Sequence, residues 1–128
     1  MIFIKVIALV IGLLVVFFCL LSMFPIIRVE GDSMYPTYKE DEILLSSRLF
    51  DKKDCKCGRN YIIYLKDDEQ GKPYYIVKRL YRKRFSPDKR IEYYFLGDNR
   101  EVSADSRLYG WFDSSRVVAV IIGKKGRR

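Results

Sequence analysis

The sequence predicts a mainly β protein, with an N-terminal transmembrane helix followed by a small antiparallel β domain. Three observations carry that expectation. Residues 6–24 are almost wholly apolar and uncharged, and as a helix they would span about 28 Å, close to the hydrocarbon thickness of a bilayer. After Pro25 the apolar residues fall into six short runs rich in Ile, Val, Tyr and Phe, the composition of strands. Turn chemistry separates the runs, including Cys57-Gly58, Asp67-Asp68-Glu69-Gln70-Gly71 and Ser86-Pro87-Asp88, which suits hairpin connections.

With 128 residues, 49% of them hydrophobic, the chain has room for one modest domain and an accessory segment. The boundary falls after Pro25, giving an anchor over 1–25 and a β domain over 26–128. A cleavable signal would have a shorter apolar core and a small-x-small site, which Ser22-Met23-Phe24-Pro25 does not offer. Lys5 and the α-amino group flank one side of the span, Arg28 and Lys39 the other, so the positive-inside rule is nearly balanced. Strands are expected at 26–30, 42–47, 61–66, 74–81, 91–96 and 116–122, and a solvated basic tail over 123–128.

The net charge of +8 fits an anionic partner; for a chain tethered to a bilayer, lipid headgroups or a cell wall come before nucleic acid. Cys19 lies in the apolar run, and Cys55 and Cys57 form a Cys-x-Cys in a polar loop. That pattern gives no disulfide framework, and two thiols without histidine fall short of a zinc site. No metal or organic cofactor is expected.

The stretch Gly31-Asp32-Ser33-Met34-Tyr35-Pro36-Thr37 divides anchor from β domain and holds the candidate nucleophile, Ser33. Gly31 permits backbone angles closed to other residues, and Pro36 fixes its own φ. A serine hydroxyl needs a base and oxyanion donors to attack a carbonyl. The chain contains no histidine, so the base falls to lysine or, less readily, a carboxylate. An ordinary lysine, with a pKa of about 10.4, is neutral only about once in a thousand near pH 7.4, and burial in apolar surroundings removes that obstacle. Most lysines here have polar or turn-like neighbours. Lys78 lies inside Tyr74-Tyr75-Ile76-Val77-Lys78-Arg79-Leu80, where the strand period of two places it on one face with Ile76 and Leu80. Both faces of that strand hold apolar residues, so alternation by itself leaves a solvent-facing Lys78 open as well.

A third polar stretch, residues 97–110, follows the run at 91–96. A buried lysine base needs a hydroxyl or carbonyl to aim it, which Ser103 or Ser106 could provide. Asp98, Asp105, Arg100 and Arg107 would brace the loop through charge-assisted hydrogen bonds. Met34 and Ile76 are candidates for lining a substrate pocket, with core packing the alternative for Met34.

Together these motifs resemble the type I signal peptidases, membrane-bound serine proteases with a Ser-Lys dyad. Gly-Asp-Ser-Met-Tyr-Pro-Thr is similar to the family's nucleophile box, Tyr-Ile-Val-Lys-Arg to its lysine box, and Gly-Asp-Asn-Arg-x-x-Ser-x-Asp-Ser-Arg to its last box. The resemblance implies the signal peptidase type of β domain, with Ser33 as nucleophile, Lys78 as base and Ser103 hydrogen-bonding the lysine. It further implies Asp105 and Arg107 as a structural pair, Asp98 as a supporting acid near the lysine, and the Ser33 N–H as an oxyanion donor. Where some members carry a serine donor, this chain has Gly31, as Gram-positive members do.

By the same resemblance the partners are preprotein signal peptides with small residues at the first and third positions before the cut. The domain would stand on the extracytoplasmic face of the cell membrane. After Lys78-Arg79 the family usually has a Gly-Leu-Pro-Gly-Asp-like turn, where this chain reads Leu80-Tyr81-Arg82-Lys83-Arg84. It also has no large inserted β region or second anchor, which suggests a minimal single-anchor form. Other readings are a catalytically silent accessory protein that binds export substrates, a dedicated peptidase for pilus or surface-protein clients, and a tethered binder of anionic polymer through Arg79, Arg82, Lys83 and Arg84. A self-cleaving repressor would need a DNA-binding segment.

Overall fold

A computed structural model describes residues 1–125. Helix α1, Ile2–Ser22, is 21 residues long, buries none of its side chains in the protein, and is long and apolar enough to cross a membrane. It begins before the expected residue 6, because a single Lys5 does not interrupt helical hydrogen bonding in an apolar run.

Among the described residues, seven antiparallel strands follow in the order β1-β2-β7-β3-β4-β5-β6. They are β1 Ile26–Arg28, β2 Ile43–Ser47, β3 Asn60–Asp67, β4 Pro73–Phe85, β5 Ile91–Leu96, β6 Phe112–Asp113 and β7 Val117–Lys125. The six expected runs are all strands. A two-residue β6 and a four-residue helix α2, Ser106–Tyr109, were too short to leave a periodic signal in the sequence.

Two bounds move substantially. β4 runs on to Phe85 because Arg82, Lys83 and Arg84 pair with Tyr94, Tyr93 and Glu92; Lys83 Nζ donates to the Cys55 carbonyl at 2.8 Å and Arg84 Nε to Glu92 at 3.0 Å. The basic run therefore lies in the ladder, with Lys83 and Arg84 hydrogen-bonded and Arg82 over the Tyr81 ring. β7 continues through Lys125, with Gly123, Lys124 and Lys125 opposite Leu45, Leu44 and Ile43. The expected tail is thus strand as far as Lys125, and 126–128 lie outside the described residues. Register shifts at four points in the ladder bend the sheet.

Two apolar clusters form on it. The larger joins Tyr61, Ile63, Leu80, Tyr93, Phe95, Phe112, Val117 and Val120, with Ile76 against it. The smaller joins Val29, Met34, Tyr38 and Leu44, with Ile27, Val77 and Ile121 against it. Adjacent residues of β4 serve different clusters, as the pleat requires.

Candidate active site

The nucleophile stretch is a turn between β1 and β2. Gly31 has φ +75°, the left-handed region that favours glycine. Met34 and Tyr38 anchor the turn in the smaller cluster, leaving Ser33 half-buried above it. The loop after β5 clamps the turn from the other side. The Asn99 N–H donates to the Ser33 carbonyl at 2.9 Å, Asn99 Nδ2 to the Asp32 carbonyl at 3.1 Å, and the Asp98 N–H to Met34 Sδ at 3.4 Å.

Lys78 lies on β4 between Ile76 and Leu80, facing Tyr61 across the ladder, and only 4% of its surface is exposed. Its Nζ is 2.6 Å from Ser33 Oγ. Burial pushes the lysine pKa down, and the field of Asp105 opposes that in part. A buried amine in hydrogen-bond contact with a hydroxyl can accept the hydroxyl proton when neutral.

The other site residues divide. Asp105 is fully buried; Oδ2 accepts from the Gly97 N–H at 2.9 Å, and Oδ1 from Arg107 Nε at 3.0 Å. Burial alone would raise its pKa, but the Arg107 guanidinium and the Gly97 amide outweigh that and hold it at about 2. Arg107 also donates to the Arg100 carbonyl at 2.6 Å, so this pair closes the loop. The Arg100 guanidinium is no part of that brace and lies over the Tyr81 ring instead.

Asp98 was expected as an acid near the lysine. It instead forms a bidentate pair with Arg79, at 2.8 and 2.7 Å, and accepts from the Thr37 hydroxyl. Arg79 holds the Asp98 carboxyl below its usual range, with Thr37 assisting. Since Arg79 points to the opposite face of β4 from Lys78, the carboxylate whose field reaches the lysine is Asp105. Thr37, Arg79 and Asn99 thus fasten the turn to the sheet; Thr37 stands at the end of the heptapeptide, and Asn99 belongs to the Gly-Asp-Asn turn signal.

The two candidate hydroxyls behave differently from expectation. Ser106 Oγ accepts from the Phe95 N–H at 2.8 Å and so serves the backbone. Ser103 Oγ is buried and makes no hydrogen bond to Lys78; it packs against Gly97 and helps to hold the Asp105 carboxylate charged. A Cβ on Gly97 would fall on that side chain and 2.7 Å from the Ser33 carbonyl oxygen. Gly97 therefore keeps the nucleophile turn and the last loop in contact, which only their juxtaposition in space reveals.

Two clefts meet at the Ser33–Lys78 contact. One, of about 310 Å³, has an apolar wall of Ile27, Val29, Met34, Ile62 and Val77. Met34, 2% exposed, is therefore both core and cleft floor. The other, of about 400 Å³, includes Glu30, Asp32, Asn99 and Tyr109, and Ile76 lines both. β1 ends the sheet, and β4 before Arg79 has no strand beside it on its β5 side, so each presents free backbone groups to the first cleft. Among the described residues no group of three or more His, Cys, Asp or Glu side chains gathers as a metal site would require. No family model matches the chain, and no curated protein matches it in sequence.

Proposed function

We propose that this chain is a membrane-tethered serine endopeptidase that removes signal peptides from exported preproteins through a Ser33–Lys78 dyad. The observation that carries this reading is the 2.6 Å contact between Ser33 Oγ and the buried Lys78 Nζ. In the mechanism, Ser33 Oγ–H donates to neutral Lys78 Nζ, and Oγ attacks the scissile carbonyl as the proton moves to the amine. The resulting oxyanion is taken by the Ser33 N–H. The lysine ammonium gives its proton to the leaving peptide amine, the C–N bond breaks, and an ester to Ser33 remains. Lys78, neutral again, takes a proton from the attacking water and returns it to Ser33 Oγ as the ester C–O bond breaks and the carboxylate product leaves.

An extended peptide suits the cleft between β1 and β4, where strand edges on both sides offer backbone hydrogen bonds. The apolar wall around Met34 fits small aliphatic side chains near the cut. In this reading helix α1 anchors the chain in a cell membrane and the β domain stands on its outer face, with Arg107, Asp105 and Asp98 holding the loop.

The test is cleavage of a preprotein whose signal ends in Ala-x-Ala, by the full chain in detergent, with the product's new N-terminus identified by mass. Cleavage at that site is expected, and Ser33→Ala should lower the rate by about a millionfold. A well-folded parent that leaves several such preproteins uncut would refute the reading and favour an accessory protein that binds them.

A further inference from the structure

We propose that a hollow walled by Leu65, Trp111 and Phe112 holds a large apolar side chain of the substrate, a few residues past the cut on the mature side. The proposal deepens the peptidase reading and rests on it. The path of the substrate follows from the two clefts that meet at Ser33. With the signal side in the apolar first cleft, the chain beyond the scissile carbonyl leaves through the second, whose wall includes Asn99, Ala104 and Tyr109. Tyr109 also lines a third cavity, of about 530 Å³, together with Leu65, Trp111 and Phe112. The second cleft and this hollow therefore share Tyr109 as a wall, and a chain that follows the one arrives at the other.

The loop that carries the junction is fixed at both ends. Asp105 caps α2 by accepting from the Arg107 N–H at 3.1 Å, and Gly110, with φ +80°, turns the chain out of the helix. The Tyr109 ring then meets buried Phe112 edge to face, with centroids 6.3 Å apart. Trp111 is held by the Tyr94 ring at 5.1 Å and by the Arg84 guanidinium 4.2 Å over its own ring. An aromatic wall set in place before a ligand arrives lowers the cost of binding one. Strand edges border the hollow as well: β6 ends the sheet, and β3 pairs with β7 only as far as Ile63. An extended segment finds backbone partners at such edges.

The chemistry of the hollow selects its occupant. Its two carboxylates are already committed, Glu92 to Arg84 at 3.0 Å and Asp113 to the Ser115 N–H at 2.9 Å. Arg116 donates to the Leu65 carbonyl at 2.8 Å and lies over the Tyr64 ring. A cationic side chain would therefore enter without a free carboxylate, and an acidic one would find only Lys66, which stands exposed. An aliphatic or aromatic side chain meets Leu65, Trp111 and Phe112 and is removed from water. Binding energy gathered there, away from the reacting bond, is available to hold the scissile carbonyl against Ser33.

The test uses the full chain in detergent with Ser33→Ala, which leaves the substrate whole, and a preprotein whose signal ends in Ala-x-Ala. Photoreactive benzoylphenylalanine is placed in turn at the third to seventh residues after the cut, and the cross-linked residues are mapped by mass. At one or two neighbouring positions most of the product should lie on Leu65, Tyr109, Trp111 or Phe112. An unlabelled preprotein with Phe at that position should suppress the cross-link at about tenfold lower concentration than one with Asp there. Labels that react elsewhere or not at all would overturn the proposal, as would equal competition by Phe and Asp. Cleavage by the parent is measured beside this. A parent that cuts while the labels miss the hollow strikes this inference and keeps the peptidase reading; one that cuts nothing while the hollow takes the label strikes the chemistry and keeps the binding site.

Discussion

Lys78→Met should abolish cleavage and make the protein more stable at the same time. The loss of activity, about a millionfold as for removal of the base of a catalytic triad, follows because among the described residues no other amine contacts Ser33 Oγ. The gain in stability follows from burial. Lys78 is 4% exposed and its pKa is lowered in the folded chain, so the folded state resists the ammonium form that the unfolded chain holds freely. Methionine fills similar volume between Ile76 and Leu80 without a charge to desolvate, a gain of about 1 to 2 kcal/mol at pH 7. The sign with pH is set by linkage. Between the lowered folded pKa and the ordinary lysine value of 10.5, the unfolded chain binds the extra proton, so the parent gains stability as pH rises. The advantage of Lys78→Met should be largest at neutral pH and shrink towards pH 10, as thermal melts at the two pH values would report. A lysine merely facing solvent would give neither the gain nor its pH dependence.

Gly97→Ala should lower activity as well, though residue 97 takes no part in the chemistry. A methyl group there meets the Ser103 side chain and comes within 2.7 Å of the Ser33 carbonyl oxygen, while the Gly97 N–H is already committed to Asp105. The Ser33 carbonyl is also held by the Asn99 N–H at 2.9 Å, so relieving the clash displaces the nucleophile turn. Displacing Ser33 by about 1 Å from Lys78 costs on the order of a hundredfold in cleavage rate, and the overpacking costs about 2 kcal/mol. Preprotein cleavage and denaturant unfolding measured on the same variant check both. Gly31 gives the contrast, since a Cβ there meets nothing within 4 Å and its requirement is the positive φ alone.

The contrast between these glycines also shows what was legible in the sequence. Strand β5 was readable to the residue because Tyr93 and Phe95 alternate with half-buried neighbours between clear turns. β4 was cut short because Arg82, Lys83 and Arg84 look like a surface loop until Tyr94, Glu92 and Cys55 supply their partners. Alternation with Ile76 and Leu80 leaves both faces open to Lys78, and it is the need of Ser33 for a base that favours the inward one. What could not be read were relations across the chain. Asp98 turns to Arg79 and Thr37, and Ser103 packs on Gly97 without reaching the lysine. These depend on where a loop after β5 lands on a turn after β1, and local periodicity carries no record of that.

The proposed dyad requires a neutral, buried Lys78 to activate Ser33. The most direct test is the pH dependence of kcat/KM for preprotein cleavage, which follows the free enzyme's base. Because the base must be neutral to accept the Ser33 proton, the rate should rise with pH through a single ionisation. Its midpoint should lie below the ordinary lysine value of 10.5, in the direction that burial sets. A rate that stays flat across this range, or rises only with a midpoint near 10.5, would contradict the account.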